Sequence, residues 1–202
     1  MAKSRLHPNF FYKVLIASFS LSTFAEGIIL PIYAIFVQKI GGTILDAGYA
    51  MGIFLITTGI LTALVHRGKW NPRTRIFFLV TGWAVWLVGI GCYLFIANIL
   101  TLFIAQILTA AGDAIADPVF EVELVDHTDA SLKEYEWGLF DGSKDIVDGV
   151  AAILGGIVVS TLGFRAMIYA MVATATVSFL MILWYVGKLR KINLIQLVTK
   201  HP

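Results

Sequence analysis

Six runs of apolar residues dominate the chain, at 11–38, 44–65, 76–96, 99–120, 137–162 and 164–186. A spanning helix needs about 20 consecutive, mostly apolar residues, so each run predicts one crossing of a bilayer. The connections are short, the longest being 121–136, and they leave no room for a separate catalytic domain. Any activity is expected in or between the helices. The expectation is one all-α, six-helix membrane domain over 1–202, with 187–202 as a cytoplasmic tail.

Polar and small positions within these runs repeat. Glu26-Gly27-Ile28-Ile29-Leu30-Pro31 in span 1 answers Asp113-Ala114-Ile115-Ala116-Asp117-Pro118 in span 4 at an offset of 87. Gly48, Gly52 and Gly59 answer Gly138, Gly142 and Gly149 at an offset of 90. Repeat A covers about 11–96 and repeat B about 99–186. Three spans is an odd number, so the second copy enters from the opposite side. Such a 3+3 inverted repeat is a recurring construction of secondary transporters, whose sites lie near the midplane between the repeats.

Composition agrees with a membrane class and excludes others. The chain is 58% hydrophobic and 14% charged, against roughly 45–50% and 25% in a soluble domain. A formal charge of +2 gives no reason to expect nucleic acid. Cys92, the single cysteine, has no partner in its own chain. Basic residues divide unevenly between the two sides. Lys3, Arg5, Lys13, Arg67, Lys69, Arg73, Arg75, Lys133, Lys188, Arg190, Lys191 and Lys200 fall on one side, and Lys39 and Arg165 on the other. By the positive-inside rule both termini are expected in the cytoplasm, in a plasma (inner) membrane. The first run continues for about 25 residues without a cleavage site and reads as a retained span rather than a leader.

Six acids, Glu26, Asp113, Asp117, Asp141, Asp145 and Asp148, and one base, Lys144, lie inside the spans. An ionised side chain at a span centre costs about 2.5–3.5 kcal/mol even on a translocon-derived scale. The acids are therefore expected around a water-filled cavity, or protonated. Asp141, Lys144, Asp145 and Asp148 share one face of span 5 by their i, i+3, i+4, i+7 spacing, with Lys144 in reach of Asp141 or Asp148 as an ion pair. Gln106, Asp113, Asp117 and Glu121 make a stripe in span 4, and Ser18, Ser22, Glu26 and Tyr33 one in span 1. At 1.5 Å per residue, Glu26 lies about 20 Å from Lys13 and Asp148 about 16 Å from Trp137, both near mid-membrane. Glu26 and Asp148 lead the candidates for proton or cation coupling, followed by Asp113, Asp117, Lys144 and Asp145. The structural alternative is a closed ion-pair network in span 5 that fixes helix packing. Trp83, Trp86 and Trp184 read as packing or lipid-facing groups. The acids Glu121, Glu123, Asp126, Asp129, Glu134 and Glu136 read as a solvated inner loop, and His66 as a loop histidine or a proton relay. No metal-ligand spacing and no catalytic or cofactor-binding motif is recognised, so neither an enzyme, a metal nor a cofactor is expected.

The run GIILPIYAIFVQKIGG in span 1, the basic loop HRGKWNPRTR and the span 5 segment AAILGGIVVSTLGF together resemble one six-helix half of a major facilitator superfamily transporter. The resemblance covers nearly the whole chain. It implies inner-loop gating at His66 and Arg67, although His66 stands where the family has aspartate and Thr62 where it has glycine. Gly155 and Gly156 match the end of the family's antiporter motif, but Ala152 replaces its proline, so antiport is not implied. Family members typically have twelve spans, which implies a homodimer or a second transporter half. Spans 2 and 5 of one half pack on their counterparts in the other. The resemblance thus implies that the small-xxx-small pair Gly48/Gly52 meets Gly138/Gly142 of a twin, ordinary packing within one chain being the alternative.

The expected function is secondary transport of a small solute or ion across the lipid bilayer, coupled to a proton or cation. The competing expectation is a non-transporting membrane assembly or regulatory protein, which predicts no water-accessible central cavity. The acid excess leans weakly towards cationic solutes, and acids used for proton coupling would look the same.

Overall fold

In the computed structural model the backbone is described for residues 10–67, 70–128 and 133–199, and side chains through 189. Lys3, Arg5, Lys69, Asp129, Arg190, Lys191 and Lys200, counted above, lie outside the described side chains. Among the described residues there are helices and no strands. Span 1 comprises α1 (Phe10–Gly27), a 3-10 turn (Leu30–Ile32) and α2 (Tyr33–Lys39). Spans 2 to 6 are α3 (Ile44–Val65), α4 (Pro72–Cys92), α5 (Ile99–Asp126), α6 (Lys133–Leu162) and α7 (Phe164–Thr199). All six are long and apolar enough to cross a membrane.

Local signals account for the helix boundaries. Thr43 and Asp46 form a capping box on α3, with Asp46 Oδ2 accepting from the Thr43 N–H at 2.7 Å. Asn71 caps α4 just before Pro72, accepting from the Thr74 N–H at 2.8 Å. Asn98 and Thr101 form a second box on α5. Each satisfies amide groups that a helix start leaves without partners. Gly41 and Gly163 hold positive φ, 88° and 83°, in the tight turns after α2 and α6. That left-handed backbone favours glycine.

The two prolines of the repeat are handled differently. Proline has no N–H to offer the carbonyl four residues earlier. At Pro31 the helix gives way: the Ile32 N–H turns to Ile29 O at 3.0 Å, and span 1 restarts at Tyr33. At Pro118 helix α5 runs on unbroken.

Span 1 packs on spans 5 and 6, and span 4 on spans 2 and 3, while spans 3 and 6 pack on each other. Exchanging 1 with 4, 2 with 5 and 3 with 6 leaves these main pairings unchanged, so the packing carries the symmetry read from the repeat. Missing side chains let the backbones close up. A methyl on Gly82 would lie 2.7 Å from Ala116 N, and one on Gly112 would press into the Trp86 backbone. Gly155 sits against the Ile28 carbonyl at the break in span 1. Spans 2 and 5 are almost unburied, at 6% and 11% of their apolar windows against 33–44% elsewhere. Gly48, Gly52, Gly138 and Gly142 have nothing within 4 Å of a built Cβ. The glycines of the repeat therefore do not pack within the chain.

The acidic segment after residue 120 differs from a solvated loop. Helix α5 continues to Asp126 and α6 begins at Lys133. Glu121, Asp126 and Glu134 are exposed, but Glu123 and Glu136 are buried, at 5% and 1%. Glu123 accepts a 2.9 Å hydrogen bond from Tyr185 and faces Arg75 at 3.7 Å, while Arg75 pairs with Asp126 at 2.7 Å. Tyr12 donates to the Glu136 carbonyl. These contacts involve five spans at this end: 3, 4 and 6 through Arg75, Glu123 and Tyr185, and 1 and 5 through Tyr12 and Glu136. Helix α7 likewise continues through most of the expected tail, to Thr199.

Gly112→Val is expected to destabilise the protein by about 1–3 kcal/mol or more through overpacking. Gly142→Ala should be neutral or up to about 1 kcal/mol stabilising, from helix propensity alone. Thermal or denaturant unfolding in detergent micelles measures both, and equal effects would contradict the packing described.

Candidate functional site

The stripes on spans 1, 4 and 5 converge. A cavity of about 220 Å³ is lined by Ser22, Thr23, Glu26 and Gly27 of span 1, Trp83 and Trp86 of span 3, Asp113, Ala116 and Asp117 of span 4, and Lys144 and Asp148 of span 5, with Phe19 and Leu30. Five of the six coupling candidates therefore share one space. Asp145 does not: it is exposed and outside the lining. Asp141 is also exposed, towards the N-terminal end of α6. Glu26 and Asp113, equivalent in the repeat, meet in the same cavity from the two halves.

Glu26 sits just before the break in span 1. Its Oε1 accepts from Trp86 Nε1 at 2.5 Å, a charge-assisted bond when the carboxyl is ionised. Trp86 is 3% exposed, and a buried indole N–H needs a partner. The tryptophan read as packing is thus also the group that orients Glu26. Trp83 has a comparable arrangement, donating to Ser178 Oγ at 3.1 Å, while Ser178 donates to the Ser18 carbonyl at 2.7 Å. Trp184, by contrast, is 43% exposed.

Asp148 reaches span 1 because Gly27 has no side chain. A methyl there would lie 2.8 Å from Asp148 Oδ1 and 3.1 Å from Ala151 Cβ. The carboxyl of span 5 is thereby set beside the residue that follows Glu26. Among the described residues Lys144 closes no ion pair within 4.0 Å; the ion pairs found there all belong to Arg75. The span 5 charges do not form the closed network that packing alone would favour. Exposed Leu30, Asp117 and Lys144 stand at the rim of the cavity.

A second space of about 100 Å³ lies beyond Glu26 towards the other end of the bundle, lined by Ile29, Leu30, Tyr33, Met51, Phe54, Ile90, Tyr93, Gln106, Thr109 and Met171 as well as Glu26. Here Tyr93 donates to Gln106 Oε1 at 3.3 Å, and Gln106 Nε2 donates to Tyr33 at 2.7 Å. Glu26 and Leu30 border both spaces. Tyr33 and Gln106 of the two stripes belong here. Tyr93 was not singled out in the sequence, where it lies inside an apolar run with nothing to mark it.

His66, at the C-terminus of α3, is half-buried rather than solvated. Its Nε2 lies 2.9 Å from the Ala114 carbonyl, and its ring packs on Trp70 at 4.5 Å. Arg67 beside it is exposed. Among the described residues no group of three His, Cys, Asp or Glu is arranged to hold a metal ion. The cavity can take up protons or a cation, and it presents four carboxyls to one ammonium.

Comparison with known proteins agrees with this architecture. The family model described as Major Facilitator Superfamily matches residues 15–195. The uncharacterized MFS-type transporter YitZ of Bacillus subtilis (strain 168) is 24% identical over 149 residues, covering 73% of this chain and 89% of that protein. The uncharacterized MFS-type transporter MJ1560 of Methanocaldococcus jannaschii is 28% identical over 147 residues, covering 71% of this chain but 37% of its own length. The match thus spans most of the bacterial relative and little more than a third of the archaeal one. With six apolar helices, this packing and a family match over almost its full length, the chain is an integral, multi-pass membrane protein that belongs to the major facilitator superfamily of transporters.

Proposed function

We propose that this six-helix unit is one half of a secondary transporter that moves a small, cationic solute coupled to a proton or another cation. The observation that carries the reading is the single cavity shared by Glu26, Asp113, Asp117, Asp148 and Lys144. Glu26 and Asp148 act as the primary proton or cation acceptors, Asp113 and Asp117 extend the acidic wall, and Lys144 is a charge partner released when a carboxylate is occupied. The discontinuous span beside Glu26 supports this role, since broken helices commonly border transport sites.

Coupling follows from desolvation. An open cavity hydrates its carboxylates; closing it removes that water, and each ionised group then costs about 2.5–3.5 kcal/mol at the membrane centre. A bound proton or cation removes most of that cost. The empty cavity therefore resists closure and the occupied one permits it, which links movement of the site to its load. The presence of a central cavity favours transport over a purely assembling or regulatory role.

Asp117 and Lys144 are exposed at the rim, and the flanking spans 2 and 5 are nearly bare. Such groups do not face hydrocarbon. This supports a second six-helix unit, a twin or a partner half, covering the cavity through Gly48/Gly52 and Gly138/Gly142. Lys13, Arg67, Arg73, Arg75, Lys133 and Lys188 belong to one end of the bundle and Lys39 and Arg165 to the other. That supports cytoplasmic termini in a plasma membrane.

In proteoliposomes with an imposed pH gradient, uptake from a panel of small organic and inorganic cations should fall about 100-fold in Glu26→Gln and Asp148→Asn, the equivalent of losing one midplane charge. Asp145→Asn, outside the cavity, should stay within about twofold. Unchanged flux in the first two variants refutes the assigned sites. Cysteines at 52 and 142 should cross-link between chains in native membranes if the twin covers the cavity; a bond formed solely within one chain contradicts that arrangement.

A further inference from the structure

The carbonyl of Ala114 is an unusual group. Its ordinary helical donor would be the amide of residue 118, which is a proline without an N–H. Ala114 is fully buried, at 0% exposure, so bulk water does not replace the missing bond. An orphaned carbonyl in such a place is costly and normally finds a partner. The partner is His66 Nε2, 2.9 Å away, from the end of a different span. A carbonyl only accepts, so this nitrogen carries the proton. The imidazole is itself held by ring contacts, tilted against Trp70 at 4.5 Å, while Trp70 stacks on Phe78 of span 3 at 4.2 Å.

The position of the bond gives it a consequence beyond packing. Ala114 follows Asp113, and Pro118 follows Asp117. The one helical turn weakened by proline is the turn that carries both span 4 carboxyls of the cavity. Among the described residues no side chain caps the carbonyl that Pro31 frees at the equivalent place in span 1, and there the helix breaks. The continuity of α5 at Pro118 thus coincides with the presence of His66.

We infer that His66 is a positioning residue: by donating to the carbonyl that Pro118 leaves free, it holds the Asp113–Asp117 turn in register with the cavity and ties span 2 to span 4. Its importance for transport rests on the function proposed above. The bond itself and its effect on the turn do not.

The test uses the full chain with Cys92→Ser and a reporter, Asp117→Cys, labelled by a membrane-impermeant, water-soluble thiol reagent. His66→Ala should change the labelling rate about tenfold, as expected when a buried carbonyl loses its donor. His66→Gln, whose Nε2 can reach the same point, should stay within about twofold. Adding Pro118→Ala supplies Ala114 with its own amide donor, so His66→Ala should then have little effect. The inference is overturned if His66→Ala labels like the parent, or if its effect persists undiminished with Pro118→Ala. Should His66→Ala alone fail to fold, recovery of folding by Pro118→Ala supports the cap, and failure of both reduces His66 to a packing residue and overturns it. If the protein that keeps Asp117 is inactive in transport while the labelling of the reporter obeys this pattern, the functional reading is overturned and the positioning role stands.

Discussion

Hydrocarbon offers no hydrogen bonds, and the structure depends on that constraint. Every backbone amide, carbonyl and charge within the spans must be satisfied by the protein or by water it admits. Regular helices meet the requirement for most of the chain. The exceptions are two prolines that each free a carbonyl, and a set of carboxyls that lipid does not tolerate. Their resolution organises everything else. Span 1 breaks at Pro31 and span 4 is capped by His66, while Glu26, Asp113, Asp117 and Asp148 line one shared cavity.

That cavity exists because helices approach closely around it and not across it. Glycines at 82, 112 and 155 draw neighbouring spans together, which fixes the frame. Gly27 admits the Asp148 carboxyl beside span 1, and Trp86 fills the wall while donating to Glu26. Small residues at the contacts and large aromatic ones at the lining serve the same end. They gather four carboxyls around one ammonium, Lys144, which among the described residues forms no ion pair within 4.0 Å. Glu26 borders both internal spaces, at the point where the two meet span 1.

Much of this was legible in the sequence because it follows from periodicity. Runs of apolar residues marked the six spans, and helical spacing put Glu26, Asp113, Asp117, Lys144 and Asp148 on faces that could meet. Asp145 shows the limit of spacing: one residue from Lys144 on a helix is a turn of about 100°, enough to carry a side chain away from the cavity. The acids after residue 120 show another limit. Charge density alone reads as solvation, yet Glu123 and Glu136 are buried because Tyr185 and Arg75 serve the first and the end of span 1 covers the second. Neither Tyr185 nor Tyr12 is near those acids in sequence.

The chain by itself determined the class of fold, the number of spans, the repeat and the set of charges for which lipid is no solvent, because each depends on composition and on the regular geometry of a helix. Tertiary structure alone decided which groups serve one another. Trp86 became the donor to Glu26, His66 the donor to Ala114, and the repeat glycines remained uncovered while Gly82, Gly112 and Gly155 closed the bundle. The reason is physical: a hydrogen bond or a close approach between spans depends on the rotation and tilt of two helices about each other. Those are set by the packing of the whole bundle, and no local run of residues encodes them.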